Sequence, residues 1–413
     1  MSRLSLPTRL VTGLWGAILE AWAELRIHKT RVLLSLIGVA VAVAALTSVV
    51  ALGQIATQAQ VESAERSSGR PAMVSVSAYS PSGETIDAED LDEAFDTAVE
   101  RYQVQFASRS GYLDTRAQFA TGVEPVYGQT VDADYGTMHR VTLSEGDWFT
   151  DRDETRLAPA IIINEVFWER LGSPDLATHP TAQILGENPY TAVVIGVTPS
   201  PVWDTSPSMI MLYSAWQKTT TVSAINLQPP MYELWVPPEI SEELMPLVER
   251  DIAGALGEGV QVDVQRQDYL AYPGFDESMQ VLRLLIAGGS VLVLLLGALG
   301  LVNISLVTVR QRIREIGIRR SFGATAGRVF FAVMMESIVA TAVAGVVGVI
   351  VAVLIVKSPL VQDVVNQGLV DAPAFPAEAA LTGILAAIAV GALAGLLPAL
   401  VAVRVKVIDA IRY

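Results

Sequence analysis

The chain has 413 residues, is 51% apolar, and still carries a formal charge of −15. That length suits two or three domains, and the other two figures are compatible only if apolar and charged residues are segregated along the chain. The absence of cysteine excludes disulfides, thiolate metal sites and thioether-linked lipid anchors.

Residues 1–31 hold five Lys/Arg against Glu20 and Glu24. Within them, 8–26 reads as an interfacial amphipathic helix. Val11, Leu14, Trp15, Ile18, Trp22 and Leu25 share one face, and the two tryptophans suit the headgroup layer. Residues 32–52 form the first nearly uncharged run. A cleaved leader has an apolar stretch of roughly 7–15 residues; this run is longer and starts late, so it reads as an uncleaved span. Runs 281–309, 329–356 and 379–403 are equally apolar. Each is long enough for a bilayer core of about 30 Å, which takes roughly 20 helical residues. Helices of a soluble core rarely run so far without a polar face. Four transmembrane helices are therefore predicted, one before and three after a long insert.

That insert, 53–280, carries 12 Lys/Arg against 35 Asp/Glu. Segment 310–328 carries six Arg against Glu315, and the tail 404–413 carries Arg404, Lys406 and Arg412 against Asp409. Short basic segments stay in the cytoplasm. Both termini and 310–328 are thus expected inside, and the acidic insert and the 357–378 loop outside.

In the insert, 54–68 continues the first span as a polar helix that Gly69-Arg70-Pro71 breaks. "AMVSVSAYS" (72–80) alternates like a half-buried strand. "SGETIDAEDLDEAFDTAVERY" reads as a turn and an acidic helix with Leu91, Ala94 and Val99 inward. "YQVQFASRS" alternates again, and "GDWFTDRDE" is a turn-rich loop. "APAIIINEVFWERLG" is a strand running into a short helix that stops at Gly172. "TAVVIGVTPS" and "MYELWVPP" are strands, and "SEELMPLVERDIAGALGEGVQVDVQRQ" is a capped helix, a glycine turn and a strand. The mixture is α+β. The Pro-, Ser- and Thr-rich middle, 174–230, suits a second lobe. The second span then rises as a stalk beside 53–68, with Arg283 snorkelling at the outer interface.

Catalytic patterns are missing. His28, His139 and His179 have no partner at metal-ligand spacing, and there is no G-x-S-x-G elbow. No lysine sits in a G-x-x-x-x-G-K-[ST] loop, so ATP is not bound through a Walker A motif. Glu89, Asp90, Asp92 and Glu93 read as a solvated helix face rather than a carboxylate dyad.

"VRQRIREIGIRRSFGATAGRV" (309–329) stands apart. Glu315 and Arg319 form an i,i+4 pair in the favoured order. Ile313, Ile316 and Gly317 share a narrow face, while Arg312, Arg314, Glu315 and Arg319 occupy most of the rest. Gly323 suits a left-handed helix end and Thr325 can cap the third span. This predicts a short cytoplasmic helix with a charged face; a basic loop on anionic lipid fits the same residues. In the spans, Gly345, Gly348, Gly391 and Gly395 permit close helix approach, within or between subunits. Asn303 suits an interhelical hydrogen bond, and Glu336 suits pairing with the arginines or snorkelling.

"GLVNISLVTVRQRIREIGIRRSFGATAGRVFFAVMMESIVATAVAGVVG" with "AGLLPALVAVRVKVIDAIRY" resembles the FtsX-like permease domain of ABC transporters, and the whole architecture resembles the MacB-type permease. "HKTRVLLSLIGVAVAVAAL", "GDWFTDRDETRLAPAIIINEVFWERLG" and "AVVIGV" fit as well, each weakly. The resemblance implies an α+β membrane protein with four transmembrane helices in a 1 + 3 arrangement and a large extracytoplasmic core domain between helices 1 and 2. The boundaries are a cytoplasmic helix 1–31, spans 32–52, 281–309, 329–356 and 379–403, the domain at 53–280, the coupling helix at 310–328, a loop at 357–378 and a cytoplasmic tail 404–413.

In that family the helix between the second and third spans seats on the ATPase. Carried over, Arg310, Arg312, Arg314, Glu315, Ile316, Gly317, Arg319, Arg320 and Gly323 make that contact. The chain is then a non-catalytic permease of a bacterial cell membrane, with no cofactor and no metal of its own and no nucleic-acid partner. It pairs with a second copy and with two copies of an ABC ATPase that binds ATP and Mg. Tripartite members carry that ATPase at their N-terminus; here 31 residues precede the first span, so a separate polypeptide is expected. Movement of the insert through stalks 53–68 and 275–290 would then drive a peptide, antibiotic, lipoprotein or lipid. Two other readings fit: an FtsX-like regulator that activates a cell-wall hydrolase, and a membrane sensor with no ATPase.

Overall fold

The computed structural model describes residues 29–186, 188–201, 203–220, 229–311, 318, 320–322, 325–365 and 374–404. The interfacial helix expected over 8–26 and the tail 405–413 lie outside them. The chain forms two compact units, one built on Ala59–Ser278 and the other on the flanking segments. The boundaries between them fall inside two long helices.

The flanking unit consists of helices. They are α1 (Lys29–Ser68), the long helix Pro273–Gln311, and Ala326–Val356 and Ala377–Arg404, with a short Pro359–Val365 helix between the last two. All four long helices are long and apolar enough to cross a membrane. α1 ends at Ser68 because Gly69 takes φ +81°, a left-handed conformation that stops a helix without strain only at glycine.

In the α+β unit, β1 (Met73–Tyr79) leads to α2 (Ala88–Tyr102), which Asp87 caps by accepting from the Glu89 amide. Leu91, Ala94, Phe95 and Ala98 make its buried stripe. β2 (Phe106–Phe119) and β3 (Gly122–Val131) follow as a hairpin, then α3 (Tyr135–Met138) and β4 (Glu145–Gly146). β5 (Ala160–Asn164) runs into α4 (Glu165–Arg170), whose cap is the Asn164 side chain. β6 (Thr181–Leu185), β7 (Tyr190–Thr198), β8 (Ser208–Leu212), α5 (Tyr213–Thr219), β9 (Met231–Trp235), α6 (Pro238–Leu256) and β10 (Gln261–Arg266) complete it. Continuing the numbering, the helices of the flanking unit are α7 (Pro273–Gln311), α8 (Ala326–Val356), α9 (Pro359–Val365) and α10 (Ala377–Arg404).

The strands join one sheet in the order β10-β1-β9-β2-β3-β8-β5-β7-β4, with β6 pairing β2 and β7. β3–β8 and β5–β7 are parallel and the other pairings antiparallel. Two apolar cores lie against it. One gathers Val74, Val76, Phe95, Tyr232, Val248 and Ile252. The other gathers Ile161, Ile162, Ile163, Phe167, Met209 and Trp216. Each fully buried large side chain contributes about 1.5–3 kcal/mol.

Three local readings differ from this fold. The alternation at 102–110 belongs to a longer strand, because Tyr102 closes α2 and Gln103 turns left-handed (φ 51°) before β2 runs on to Phe119. α6 starts at Pro238, with proline in its first turn, and the Ser241 hydroxyl donates inside that turn to the Pro238 carbonyl at 3.0 Å. The isoleucine-rich core draws in Ala117, Phe119 and Val126 as well as residues from 174–230, so it does not coincide with the composition shift.

Candidate functional site

Arg310 lies in the last turn of α7. Arg312, Arg314, Glu315, Ile316, Gly317, Arg319 and Gly323 lie outside the described residues. Arg320 donates through Nη1 to the Val403 carbonyl at 3.0 Å, which ties this segment to the end of α10. Thr325 caps α8, accepting from the Arg328 amide. Ile318 is 51% exposed and Phe322 88% exposed. An uncovered phenylalanine beside two arginines is hard to see in the sequence because the charges dominate the pattern; "RRSFG" is its only signal.

α8 and α10 meet along a seam of small residues repeating every four positions. A Cβ added at Gly345 would stand 2.6 Å from the Ala387 Cβ, one at Gly391 would overlap the Thr341 hydroxyl, and one at Gly395 would lie 2.8 Å from the Ser337 Cβ. Thr341 bonds back to the Ser337 and Ile338 carbonyls at 3.0 Å, so its polar atom is satisfied. α1 crosses the same bundle: a Cβ at Gly348 would lie 2.6 Å from the Ala40 carbonyl, and one at Gly383 would overlap the Thr47 hydroxyl. Close backbone approach of this kind replaces the hydrophobic drive that lipid does not supply. Asn303 on α7 is exposed. α7 itself touches α1 where a Cβ at Gly297 would meet Ala42, while Leu284, Leu285, Leu292, Leu295, Leu296 and Leu299 stay uncovered.

In the α+β unit, the end of α1 is tied down by a dense joint. Arg140 Nη1 lies 2.9 Å from Glu65, and the Arg70 Nε donates to the Thr137 carbonyl at 2.8 Å. His139 joins the Arg66 carbonyl through Nδ1 (3.2 Å) and Glu233 through Nε2 (2.9 Å), with its ring stacked on Tyr135 at 4.0 Å. Burial pushes the Tyr135 phenol well above its ordinary value.

A second charged cluster joins α2, β2 and the loop after β3. Arg109 Nε meets Asp92 at 3.0 Å, Nη1 meets Asp132 at 3.1 Å, and Nη2 meets Asp96. Asp92 also accepts from Tyr232 (2.8 Å) and Gln217 (2.9 Å). Burial raises the Asp132 carboxyl to about 6, against the attraction of Arg109. Burial also raises Asp96. Among the described residues no group of three or more His, Asp or Glu is placed to hold a metal ion.

This geometry defines a four-span membrane protein with one large α+β domain between its first and second spans. The family model for the MacB-like periplasmic core domain matches residues 32–244, and the one for the FtsX-like permease C-terminal region matches 287–407. The chain belongs to the MacB-like ABC transporter permease family. It is 24% identical to the macrolide export ATP-binding/permease protein MacB of Nitrobacter winogradskyi, over 97% of this chain and 61% of that protein. It thus spans less than two thirds of that relative. It is 25% identical to the ABC transporter permease YvrN of Bacillus subtilis, over 94% of this chain and 96% of that one. The extracellular domain of the noncanonic ABC-type transporter YknZ from Gram-positive bacteria aligns with 46% of this chain and 99% of its own length, at 16% identity and a TM-score of 0.37.

Proposed function

We propose that this chain is the permease subunit of an ABC exporter in a bacterial plasma membrane. Its termini and the 310–328 segment face the cytoplasm, and its α+β domain lies outside. Two copies pair. A separate ATPase seats on 310–328, and ATP-driven motion passes along α1 and α7 to the outer domain, which releases or expels a substrate without passage through the bilayer. The observation that carries this reading is the continuity of α1. Its 40 residues make about 60 Å of helix at 1.5 Å each, roughly twice a bilayer core of about 30 Å.

Other features support it. Phe322 and Ile318 are exposed, and large uncovered apolar side chains of this kind suit a protein contact. The uncovered leucines of α7 suit a second copy in the membrane. The macrolide exporter among the relatives favours an antibiotic as the substrate.

The test is purification of the tagged protein from native membranes with an ATPase assay. The wild type is expected to retain a stoichiometric ATPase, and the Glu315→Arg/Arg319→Glu double variant to lose it or uncouple its hydrolysis. If the wild type holds no ATPase, the transporter reading fails.

A further inference from the structure

The joint at the end of α1 contains a group whose hydrogen bonds need a proton that no other part of the network supplies. The Arg66 carbonyl accepts only, so His139 Nδ1 carries a hydrogen toward it. In a neutral ring Nε2 is then itself an acceptor, and it faces the Glu233 Oε2 at 2.9 Å. The other carboxyl oxygen is engaged, because Gln267 Nε2 donates to Oε1 at 2.6 Å. With Nδ1–H given to the Arg66 carbonyl, a bond between Nε2 and the Glu233 carboxyl needs one further proton, as imidazolium with carboxylate or as imidazole with carboxylic acid. His139 is 2% exposed and Glu233 3% exposed, so water does not replace that proton's bonds.

Among the described residues the charges around it are engaged elsewhere: Arg70 gives its Nε to the Thr137 carbonyl and lies over the Trp235 ring, and Arg266 pairs with Asp268 at 2.7 Å. On α1, Glu62 and Glu65 face Arg140 at 3.8 and 2.9 Å, and Arg66 pairs with Glu62 at 3.5 Å. Tyr135 of α3 presents its ring face, and its hydroxyl accepts from Gln129 at 2.8 Å. The backbone around the joint is under tension: Ala72 and Arg140 both sit at positive φ (65° and 47°), conformations that side-chain-bearing residues seldom adopt.

We propose that the His139–Glu233 pair is a proton-held latch that fixes the last turns of α1 to the sheet. With the shared proton, the last turns of α1, the 137–140 segment, β9 and the end of β10 move as one body. Without it, two acceptors confront each other, and either the bond to the Arg66 carbonyl or the bond to Glu233 is given up. The helix end then loosens as pH rises. The consequence for transport rests on α1 being the element that transmits motion; the latch itself does not.

Hydrogen–deuterium exchange on the full chain in lipid nanodiscs tests it, without any ATPase present. After correction for the intrinsic pH dependence of exchange, amides 62–68 are expected to exchange roughly tenfold faster or more at about pH 9 than at about pH 5. Strand β5 serves as the internal reference. Glu233→Gln supplies an N–H donor to neutral His139 and keeps an oxygen for Gln267, so it should hold amides 62–68 protected at every pH. A flat wild-type profile, or a Glu233→Gln profile that rises like the wild type, overturns the latch. An ATPase that fails to bind 310–328 would instead overturn the function proposed above and leave the latch standing.

Discussion

Asp132 is buried at a cost that the single arginine beside it only partly offsets, because Arg109 is shared among three carboxylates. An unfolded aspartate releases its proton near 3.8, and the folded one holds it to about 6. Between those values only the folded chain carries the proton, so stability falls as pH rises through that window and is recovered on acidification. The difference between the two values corresponds to about 3 kcal/mol at most. Asp132→Asn should flatten this part of the pH profile while keeping an oxygen to accept from the Arg109 amide, which now bonds Asp132 at 2.8 Å. Thermal unfolding of the full chain in nanodiscs at about pH 4, 5, 6 and 7 measures it; an unchanged slope in the variant would show that Asp132 titrates elsewhere. Nothing local announces this cluster. Asp92 reads as part of a solvated acidic helix face, and only the fold brings Arg109, Tyr232 and Gln217 onto it. His139 is similarly opaque, since its partner Glu233 lies 94 residues away.

Elements whose pattern is local are legible. The AIIIN run forms β5 and the alternation at 191–198 lies in β7, because burial of β-branched side chains decides both within a few residues. The β2–β3 hairpin is not legible past Ser110, where Gly111 interrupts the apolar pattern; its space is taken by the Thr130 hydroxyl, 2.7 Å from where a Cβ would be. The glycines of the spans are visible in the sequence, but their partners on other helices are not. The α8–α10 seam yields a sharp test. Gly391→Val would drive a branched side chain into Thr341 and to within 3.1 Å of backbone atoms at Ser337 and Ile338. Overpacking of this kind costs about 1–3 kcal/mol, so the variant should lose thermal stability and yield in membranes. Gly288→Ala, which meets nothing within 4 Å, should match the wild type in the same assay. Equal loss in both would mean that α8 and α10 do not pack through this seam.

At the scale of the molecule, the question is whether α1 acts as a strut. Residues 54–68 of α1 contain neither glycine nor proline, the residues at which helices most often kink. Pro in a helix interior removes a hydrogen bond and costs about 3 kcal/mol, kinking the helix and leaving untouched the 310–328 segment on which the ATPase is proposed to seat. Ala59→Pro should therefore leave ATPase binding intact and uncouple the outer domain from it. The chain has no cysteine, and Leu157 projects fully into solvent, so Leu157→Cys carries a single spin label per copy. In the paired permease with its ATPase, ATP binding should change the label-to-label separation, and Ala59→Pro should abolish most of that change. Labels that never report a pair would remove the homodimer from the mechanism. A kinked α1 that still passes on the full displacement would mean that α7, or a route through lipid, carries the motion instead.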